Sequence, residues 1–174
     1  MPDVTGSRTP REALDRLRAL ASSGDLDRFC ADRDLRLLVA FGSATDPEQA
    51  EDAQDLDIAV AFEPGAVRDL PRLIVDISEL LGLTALDVVD LDRASIVLRH
   101  RALVATVPLF ESRSGSYAIE RDRAMMEYMD TAWLRRLDLE AMARSPASPP
   151  RSDGPVEDRE SPGPAAEAGA IPDA

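Results

Sequence analysis

The chain has 174 residues and a formal net charge of −13, which predicts one acidic domain with a short appendage. An acidic surface repels a phosphate backbone and argues against tracking along DNA or RNA, although metal ions would still allow binding of a single nucleotide. The sequence has no run of about 18 apolar residues and begins without the apolar stretch of a secretory signal. We therefore expect a cytoplasmic protein that does not span a membrane.

In chain order, the sequence first predicts a disordered start at residues 1–9 and then two helical segments. The first helix begins at Pro10, which suits a first helical turn, and its apolar residues recur at helical spacing. The second segment, residues 25–33, contains Cys30, the single cysteine, which we interpret as a small buried residue rather than a reactive thiol. A single cysteine also excludes an internal disulfide and a cysteine-rich metal site.

The next part of the chain consists of short apolar runs that are typical of strands. Residues 35–41 form a compact apolar run that ends at Gly42-Ser43, and residues 55–62 alternate at first between acidic and apolar side chains. The polar connection at 44–54 predicts a loop or one broken helical turn. The later elements are a helix at 66–82 that ends at Gly82, a strand at 84–91, a helix at 93–107, a short extended segment at 108–112 and a long helix at 116–143.

The long helix carries an apolar stripe, and the composition changes sharply after it. A stripe of this kind is more often core packing than a cofactor site, although part of it could serve a protein interface, where methionine and tryptophan are favoured. Its members are Met126, Met129, Trp133 and Leu137. Residues 145–174 are mostly Pro, Ala, Ser, Gly and acids, so they bury too little apolar surface to fold and predict a disordered tail. The folded domain is therefore expected at 10–144.

The candidate site lies in residues 41–60, where Gly-Ser ends one strand and the next strand carries two acids. Gly42 can adopt a conformation closed to other residues, and the Ser43 hydroxyl and nearby N–H groups can donate to phosphate oxygens. Asp55 and Asp57 are two residues apart on a strand, so both carboxylates point the same way. Because two such carboxylates repel each other, the pair predicts a divalent cation, and oxygen ligands suit Mg²⁺ or Mn²⁺.

A third carboxylate is expected on the neighbouring strand, where it would hold a second metal ion and help to deprotonate a nucleophile. Asp87 and Asp90 are the candidates. Asp87 lies in mid-strand between apolar residues, where an unpaired charge would be costly, and this favours it. Asp90 lies nearer the strand end and is interpreted as a polar terminus. A phosphate-binding turn beside metal-binding carboxylates predicts nucleotidyl transfer.

The order Gly-Ser, eleven intervening residues and Asp-x-Asp resembles the signature of the minimal nucleotidyltransferases, or MNT proteins, of the polymerase-β superfamily. The resemblance covers roughly residues 12–143. It implies an α/β (α+β) polymerase-β-like nucleotidyltransferase fold, in which helices pack on a small mixed sheet and a C-terminal helix follows. It implies that Gly42 and Ser43 hold the triphosphate of ATP, that Asp55 and Asp57 bind Mg²⁺ in a two-metal site, and that Asp87 is the third acid.

The resemblance also implies a protein partner. MNT proteins are commonly the antitoxins of two-gene systems whose toxin is a helical HEPN ribonuclease, and the better-understood members transfer AMP from ATP to a tyrosine of that toxin. Many members carry an Arg soon after Gly-Ser, which would help to neutralise the triphosphate, whereas this chain has Ala44-Thr45-Asp46. Two alternatives stay open: a non-catalytic antitoxin that binds its toxin directly, and a nucleotidyltransferase acting on a small molecule such as an aminoglycoside.

Overall fold

The computed structural model describes residues 8–104 and 106–137, in which helices cover both faces of a mixed sheet. The helices are α1 (Pro10–Ser23), α2 (Asp25–Ala31), α3 (Leu70–Leu81), α4 (Ile96–Val104) and α5 (Ser116–Asp130). The strands are β1 (Leu35–Phe41), β2 (Leu56–Phe62), β3 (Leu86–Asp90) and β4 (Thr106–Glu111). Within the described ranges, no helix has the length and apolar character needed to cross a membrane. The expected small mixed sheet with helices packed on it is confirmed.

The order of the strands places the candidate acids at one end of the sheet. The order is β3-β2-β1-β4, with β2 and β3 parallel and the other neighbours antiparallel. The antiparallel register puts Phe41 opposite Asp57, and the parallel register puts Asp57 opposite Asp87. The exit from β1 and the entries into β2 and β3 therefore meet at the same end of the sheet.

Alternate residues of the two central strands belong to two different hydrophobic cores. One core lies under α1, α2 and α3 and includes the strand residues Leu38, Ala40, Ile58 and Val60. The other lies under α4 and α5 and includes Leu37, Val39, Ala59 and Ala61. Because both faces are covered, these strands read as continuous apolar runs rather than as alternating ones. Asp57 and Asp87 have the same strand parity as Ala59 and Val89, so they lie on the face that α4 covers.

The first described residues belong to the domain, although the sequence assigned residues 1–9 to a disordered start. The Thr9 side chain accepts a hydrogen bond from the Glu12 N–H, and the Glu12 carboxylate accepts one from the Thr9 N–H, so the two residues form a capping box at the start of α1. The Arg8 N–H donates to the Gly82 carbonyl at 3.0 Å. Residues 1–7 of the predicted start and the whole predicted tail at 145–174 lie outside the described residues.

The helices α3 and α4 are shorter than the sequence predicted. Helix α3 begins after Asp69, whose carboxylate caps it by accepting from the Arg72 N–H at 3.0 Å, and it ends at Gly82 as expected. Helix α4 ends at Val104, and β4 begins at Thr106 rather than at residue 108. The reason is pairing across the sheet: residues 106 and 107 lie opposite the last two residues of β1 and form its ladder.

The apolar stripe of the last predicted helix is not part of the core, so its interpretation as core packing is wrong. Met126 is 61% exposed, Met129 69% and Trp133 61%, and Ala124 is the buried residue of α5. A stripe at helical spacing shows that a helix has an apolar side, but it does not decide which side meets the sheet. Helix α5 ends at Asp130, and residues 138–143 of the predicted helix lie outside the described residues.

Candidate active site

A cleft of about 600 Å³ opens at the end of the sheet where β1 ends and β2 begins. Four of the five residues expected at the site line it: Gly42, Ser43, Asp55 and Asp57. Small-molecule sites in proteins commonly have volumes of roughly 300–1,000 Å³, so the cleft has the size for a nucleotide. The cleft is not enclosed by apolar side chains, because most of its lining residues are polar or charged.

The three candidate acids converge beside this cleft. One carboxylate oxygen from each of Asp55, Asp57 and Asp87 lies within 4.8 Å of the others. The strand predicted from residue 55 begins at Leu56, so Asp55 lies in the bend directly before β2 and Asp57 is the second residue of the strand. The parallel register adds Asp87 from β3. The expected convergence is therefore observed, while metal binding by these residues stays a prediction.

Gly42 brings the turn after β1 into direct contact with the Asp57 carboxylate. Its backbone has φ 78° and ψ −163°, a conformation that residues with a side chain rarely adopt. A Cβ atom at this position would lie 2.0 Å from Oδ2 of Asp57, so the carboxylate occupies the space of a side chain. Glycine is required here on both counts. The contact places the candidate phosphate-binding turn next to the candidate metal ligands.

The carboxylate of Asp57 is electrostatically unfavourable in the absence of a ligand. Burial raises its pKa above the ordinary value, and the charges of Asp55 and Asp87 raise it further. The Arg101 guanidinium opposes these effects and lowers the pKa of Asp57. A cation bound beside Asp57 would therefore stabilise the charged form of this carboxylate, which no ion pair with a described residue stabilises.

The turn after Gly42 leaves the hydroxyl of Ser43 available. A short 3-10 turn spans Ser43–Thr45, and both the N–H and the hydroxyl of Thr45 donate to the Gly42 carbonyl, at 3.1 and 2.8 Å. Among the described residues, the Ser43 hydroxyl has no hydrogen-bond partner. Asp46 accepts from the Glu48 N–H at 2.9 Å and from the Gln49 side-chain amide at 2.6 Å. This acid is thus bound to its own loop.

Asp87 is the third acid of the cluster, but the reason that favoured it over Asp90 is wrong. Asp87 is exposed because β3 is an edge strand, so its charge is not desolvated in mid-strand as expected. The buried acid is Asp90, at 7% exposure. Asp90 accepts from the Asp92 N–H at 3.0 Å and lies 3.5 Å from the Arg68 guanidinium. It is a paired structural residue at the far end of the strand.

Arg101 lines the cleft and was not identified from the sequence. It is exposed, it lies in the last turn of α4, and it is the one basic residue among those lining the cleft in the described part of the chain. Nothing in the sequence separates Arg101 from Arg99, two residues earlier. Arg99 donates to the Leu91 carbonyl and pairs with Glu127, both at 3.0 Å, and so points away from the cleft.

The set of donor atoms fits a hard divalent cation. Three carboxylates converge, and none of them forms an ion pair with a described basic residue. Carboxylate oxygens are the ligands that Mg²⁺ prefers, and a magnesium ion bound by two or three of them usually keeps positions open for phosphate oxygens. The open cleft beside the cluster provides space for such a ligand.

Comparison with known proteins supports the same architecture. Residues 25–114 match the family model described as polymerase beta, nucleotidyltransferase. No curated protein matches the sequence. A solved structure of a toxin-antitoxin with AMP-PNP has a TM-score of 0.57 and 20% identity, over 69% of this chain and 97% of that chain. The complex of tri-AMPylated Shewanella oneidensis HEPN toxin with MNT antitoxin has a TM-score of 0.56 and 19% identity, over 72% and 98%. At these identities the likeness shows the fold, which confirms the expected polymerase-β-like class.

Proposed function

Because the chain belongs to the polymerase-β nucleotidyltransferase family, we propose that it transfers AMP from ATP to a hydroxyl group of a protein, in a reaction that requires magnesium. In such a transfer the acceptor oxygen bonds to the α-phosphorus, the bond between the α-phosphorus and the bridging oxygen breaks, and pyrophosphate leaves. The acceptor hydroxyl loses its proton in the same reaction. Magnesium, when bound, neutralises the phosphate oxygens and lowers the pKa of the attacking hydroxyl.

The residues of the cleft divide these tasks between them. Asp55 and Asp57 would hold the metal ions, and Asp87, as the exposed member of the cluster, would complete the second metal site and accept the proton of the hydroxyl. The free hydroxyl of Ser43 and the turn at Gly42 would bind the outer phosphates. With the outer phosphates bound there, the α-phosphate would lie beside the carboxylates, and an acceptor could reach it from the open side of the cleft.

One observation carries the proposal: the glycine-dependent turn touches the central acid of a three-carboxylate cluster. Gly-Ser turns and Asp-x-Asp strands are each common in structural roles. Their direct contact, with the carboxylate oxygen of Asp57 in the place of a Gly42 side chain, has no evident structural benefit. Burial, and after it the charges of Asp55 and Asp87, raise the pKa of Asp57, which favours a ligand that brings positive charge.

We propose a HEPN toxin as the acceptor protein and one of its tyrosines as the acceptor residue. The support is the likeness to solved toxin–antitoxin structures, one of them an AMPylated HEPN toxin bound to its MNT antitoxin. The acidic chain, with a net charge of −13, is also better suited to a protein or small-molecule acceptor than to RNA.

The test is transfer of label from α-³²P-ATP to a HEPN protein encoded beside this chain. Wild-type protein with magnesium should label the toxin, and Asp55→Asn with Asp57→Asn should lower the rate by at least roughly a hundred-fold, because both metal ligands lose their charge. The matched control is Asp15→Asn with Asp27→Asn, which removes the same charge from exposed positions on α1 and α2. Equal labelling by the two double variants would overturn the site assignment.

A second candidate function is neutralisation of the toxin by binding alone, and the exposed apolar side of α5 favours it. Met126, Met129 and Trp133 are each more than 60% exposed on one side of the helical segment at 116–137. Met and Trp are enriched in the cores of protein interfaces. A toxin bound here would not require the cleft.

Growth rescue separates the two candidates. If binding suffices, Asp55→Asn with Asp57→Asn should still protect cells that express the toxin, whereas Met129→Glu with Trp133→Glu should not. If transfer is needed, the carboxylate variant should fail to protect although it still co-purifies with the toxin. Glutamate at the two exposed positions leaves the described core intact, so the folded state can be checked by circular dichroism.

A further inference from the structure

The cleft contains one basic side chain whose charge no described residue neutralises. Arg101 is exposed and lines the cleft, and it makes no ion pair or hydrogen bond with any residue in the ranges 8–104 and 106–137. Its neighbours on the cleft wall include three acids, Asp46, Asp55 and Asp57. Arg101 is close enough to Asp57 to lower the pKa of that carboxylate without forming an ion pair with it.

The helix that carries Arg101 is held firmly in place by its other polar residues. The ring of His100 stacks on the ring of Tyr128, with centroids 3.9 Å apart. Arg99 donates to the Leu91 carbonyl and pairs with Glu127, both at 3.0 Å. The next residues, Ala102 and Leu103, are fully buried. Arg101 therefore projects into the cleft from a rigid support while its neighbours on both sides are engaged elsewhere.

The turn that follows Gly-Ser offers no cation of its own. Residues 44–46 are Ala, Thr and Asp, and Asp46 is held by the Glu48 N–H and the Gln49 amide within its own loop. A triphosphate on this turn would face Asp46, Asp55 and Asp57. Among the described residues that line the cleft, Arg101 is the one positive side chain. A guanidinium is a strong and planar donor to phosphate oxygens, since it presents several N–H groups at once.

From this geometry we propose that Arg101 binds the triphosphate of ATP from the α4 side of the cleft. The proposal rests on the proposed function and names a further residue of the same site. The three carboxylates and Arg101 then face the ligand from different walls: the acids bind the metal ions, and the guanidinium binds the phosphate oxygens. The free N–H groups of Arg101 are satisfied by the ligand rather than by the protein.

The test compares two ligands, of which only one should bind more weakly when Arg101 is replaced. The first is Mn²⁺ alone, measured by electron paramagnetic resonance, and the second is a non-hydrolysable ATP analogue with magnesium, measured by calorimetry. Arg101→Gln should weaken the ATP analogue roughly ten- to hundred-fold, because a charge-assisted contact to phosphate is lost. The same variant should bind Mn²⁺ as tightly as wild type or more tightly, because a positive charge near Asp57 is removed.

Two further variants complete the experiment. Arg101→Lys should restore part of the lost affinity for the ATP analogue, since it keeps the charge but not the planar donor group. Arg113→Gln removes the same charge from an exposed loop that follows β4, whereas the cleft lies at the start of that strand. This control should leave both affinities unchanged.

Three outcomes would overturn the role of Arg101. In the first, Arg101→Gln binds the ATP analogue as tightly as wild type. In the second, it loses affinity for Mn²⁺ and the ATP analogue together, which would indicate a structural residue. In the third, the wild-type protein binds no ATP analogue at all, and this would overturn the proposed function as well. The first two outcomes leave the proposed function intact, so the two failures are distinguishable.

Discussion

The tripeptide Asp-Leu-Asp occurs three times in the chain, and two of its copies, at 55–57 and 90–92, lie at opposite ends of the same sheet. The acids of these two copies meet opposite surroundings. At the end of the sheet that carries residues 90–92, the Arg36 guanidinium lies 2.7 Å from a carboxylate oxygen of Asp92 and 2.7 Å from one of Glu120. Arg68 lies 2.9 Å from Asp92 and also reaches Asp90. At the end that carries residues 55–57, the acids converge on one another, and no ion pair within the described residues offsets the repulsion between their charges.

Within the described structure, arginines neutralise the acids at 90–92 and leave the acids at 55–57 without an ion pair. Where acids are paired with arginines over a covered part of the sheet, removing one partner leaves a charge without compensation and destabilises the fold. Acids that repel each other in an open cleft cost stability until a ligand arrives, and such perturbed groups concentrate at functional sites. Three variants, ordered from the largest expected change in the free energy of unfolding to the smallest, test this distinction.

Arg36→Ala should have the largest effect. It removes the partner of Glu120 and one of the two partners of Asp92 from a position that is 19% exposed. We therefore expect the free energy of unfolding to fall by about 3 kcal/mol. Urea denaturation measures this loss. The control, Arg93→Ala, removes a guanidinium that is 76% exposed and 3.9 Å from Asp90, and should cost less than about 0.5 kcal/mol. Similar losses in the two variants would show that the cluster at 90–92 is not a stabilising network.

Gly42→Ala should have an intermediate effect on stability and a larger one on the cleft. The positive φ of 78° is strained for alanine, and the new Cβ would displace the Asp57 carboxylate, so we expect a loss of about 2 kcal/mol and weaker Mn²⁺ binding. Gly65→Ala is a matched control, since Gly65 has φ 86° but nothing within 4 Å of an added Cβ. Loss of Mn²⁺ binding in both variants would contradict a specific contact between Gly42 and Asp57.

Asp57→Asn should have the smallest effect and the opposite sign. The pKa of Asp57 is raised above the ordinary value of 3.8 by burial and by Asp55 and Asp87. The stability that the protonated carboxyl contributes is therefore fully present below pH 3.8 and is lost as the pH rises through the raised pKa. Asparagine carries no charge at this position, so we expect the variant to be slightly more stable than wild type at neutral pH without metal.

An aspartate-to-asparagine substitution in the tripeptide at 90–92 should have the opposite effect on stability. Asp92→Asn removes the carboxylate that two arginines share, so it should lower the free energy of unfolding where Asp57→Asn raises it. Denaturation at several pH values, with and without magnesium, measures both. The advantage of Asp57→Asn over wild type should grow with pH and disappear at saturating magnesium, which binds the folded wild type. A destabilised Asp57→Asn protein at neutral pH would refute the comparison.

Much of this protein could be predicted from the sequence because short-range physics decides it. The apolar runs at 35–41 and 55–62 are strands buried on both faces, Gly82 ends α3, and Cys30 is fully buried, where burial raises its pKa to about 12. The period-two geometry of a strand also predicts that Asp55 and Asp57 lie on one side, and their carboxylates converge. Each of these features depends on residues that are close in the chain.

Tertiary structure alone decided the rest, because contacts between distant residues carry no local signal. The tripeptide Asp-Leu-Asp does not predict which of its copies is paired with arginines. In the described structure Arg36 and Arg68 pair with the acids at 90–92, and the acids at 55–57 have no ion pair. Helical spacing does not predict that the stripe containing Trp133 faces solvent. Only the packing of α4 against the sheet separates Arg101, which enters the cleft, from Arg99, which binds α5. The sequence determined the chemical groups of this protein, and the fold determined which of them are left for a ligand.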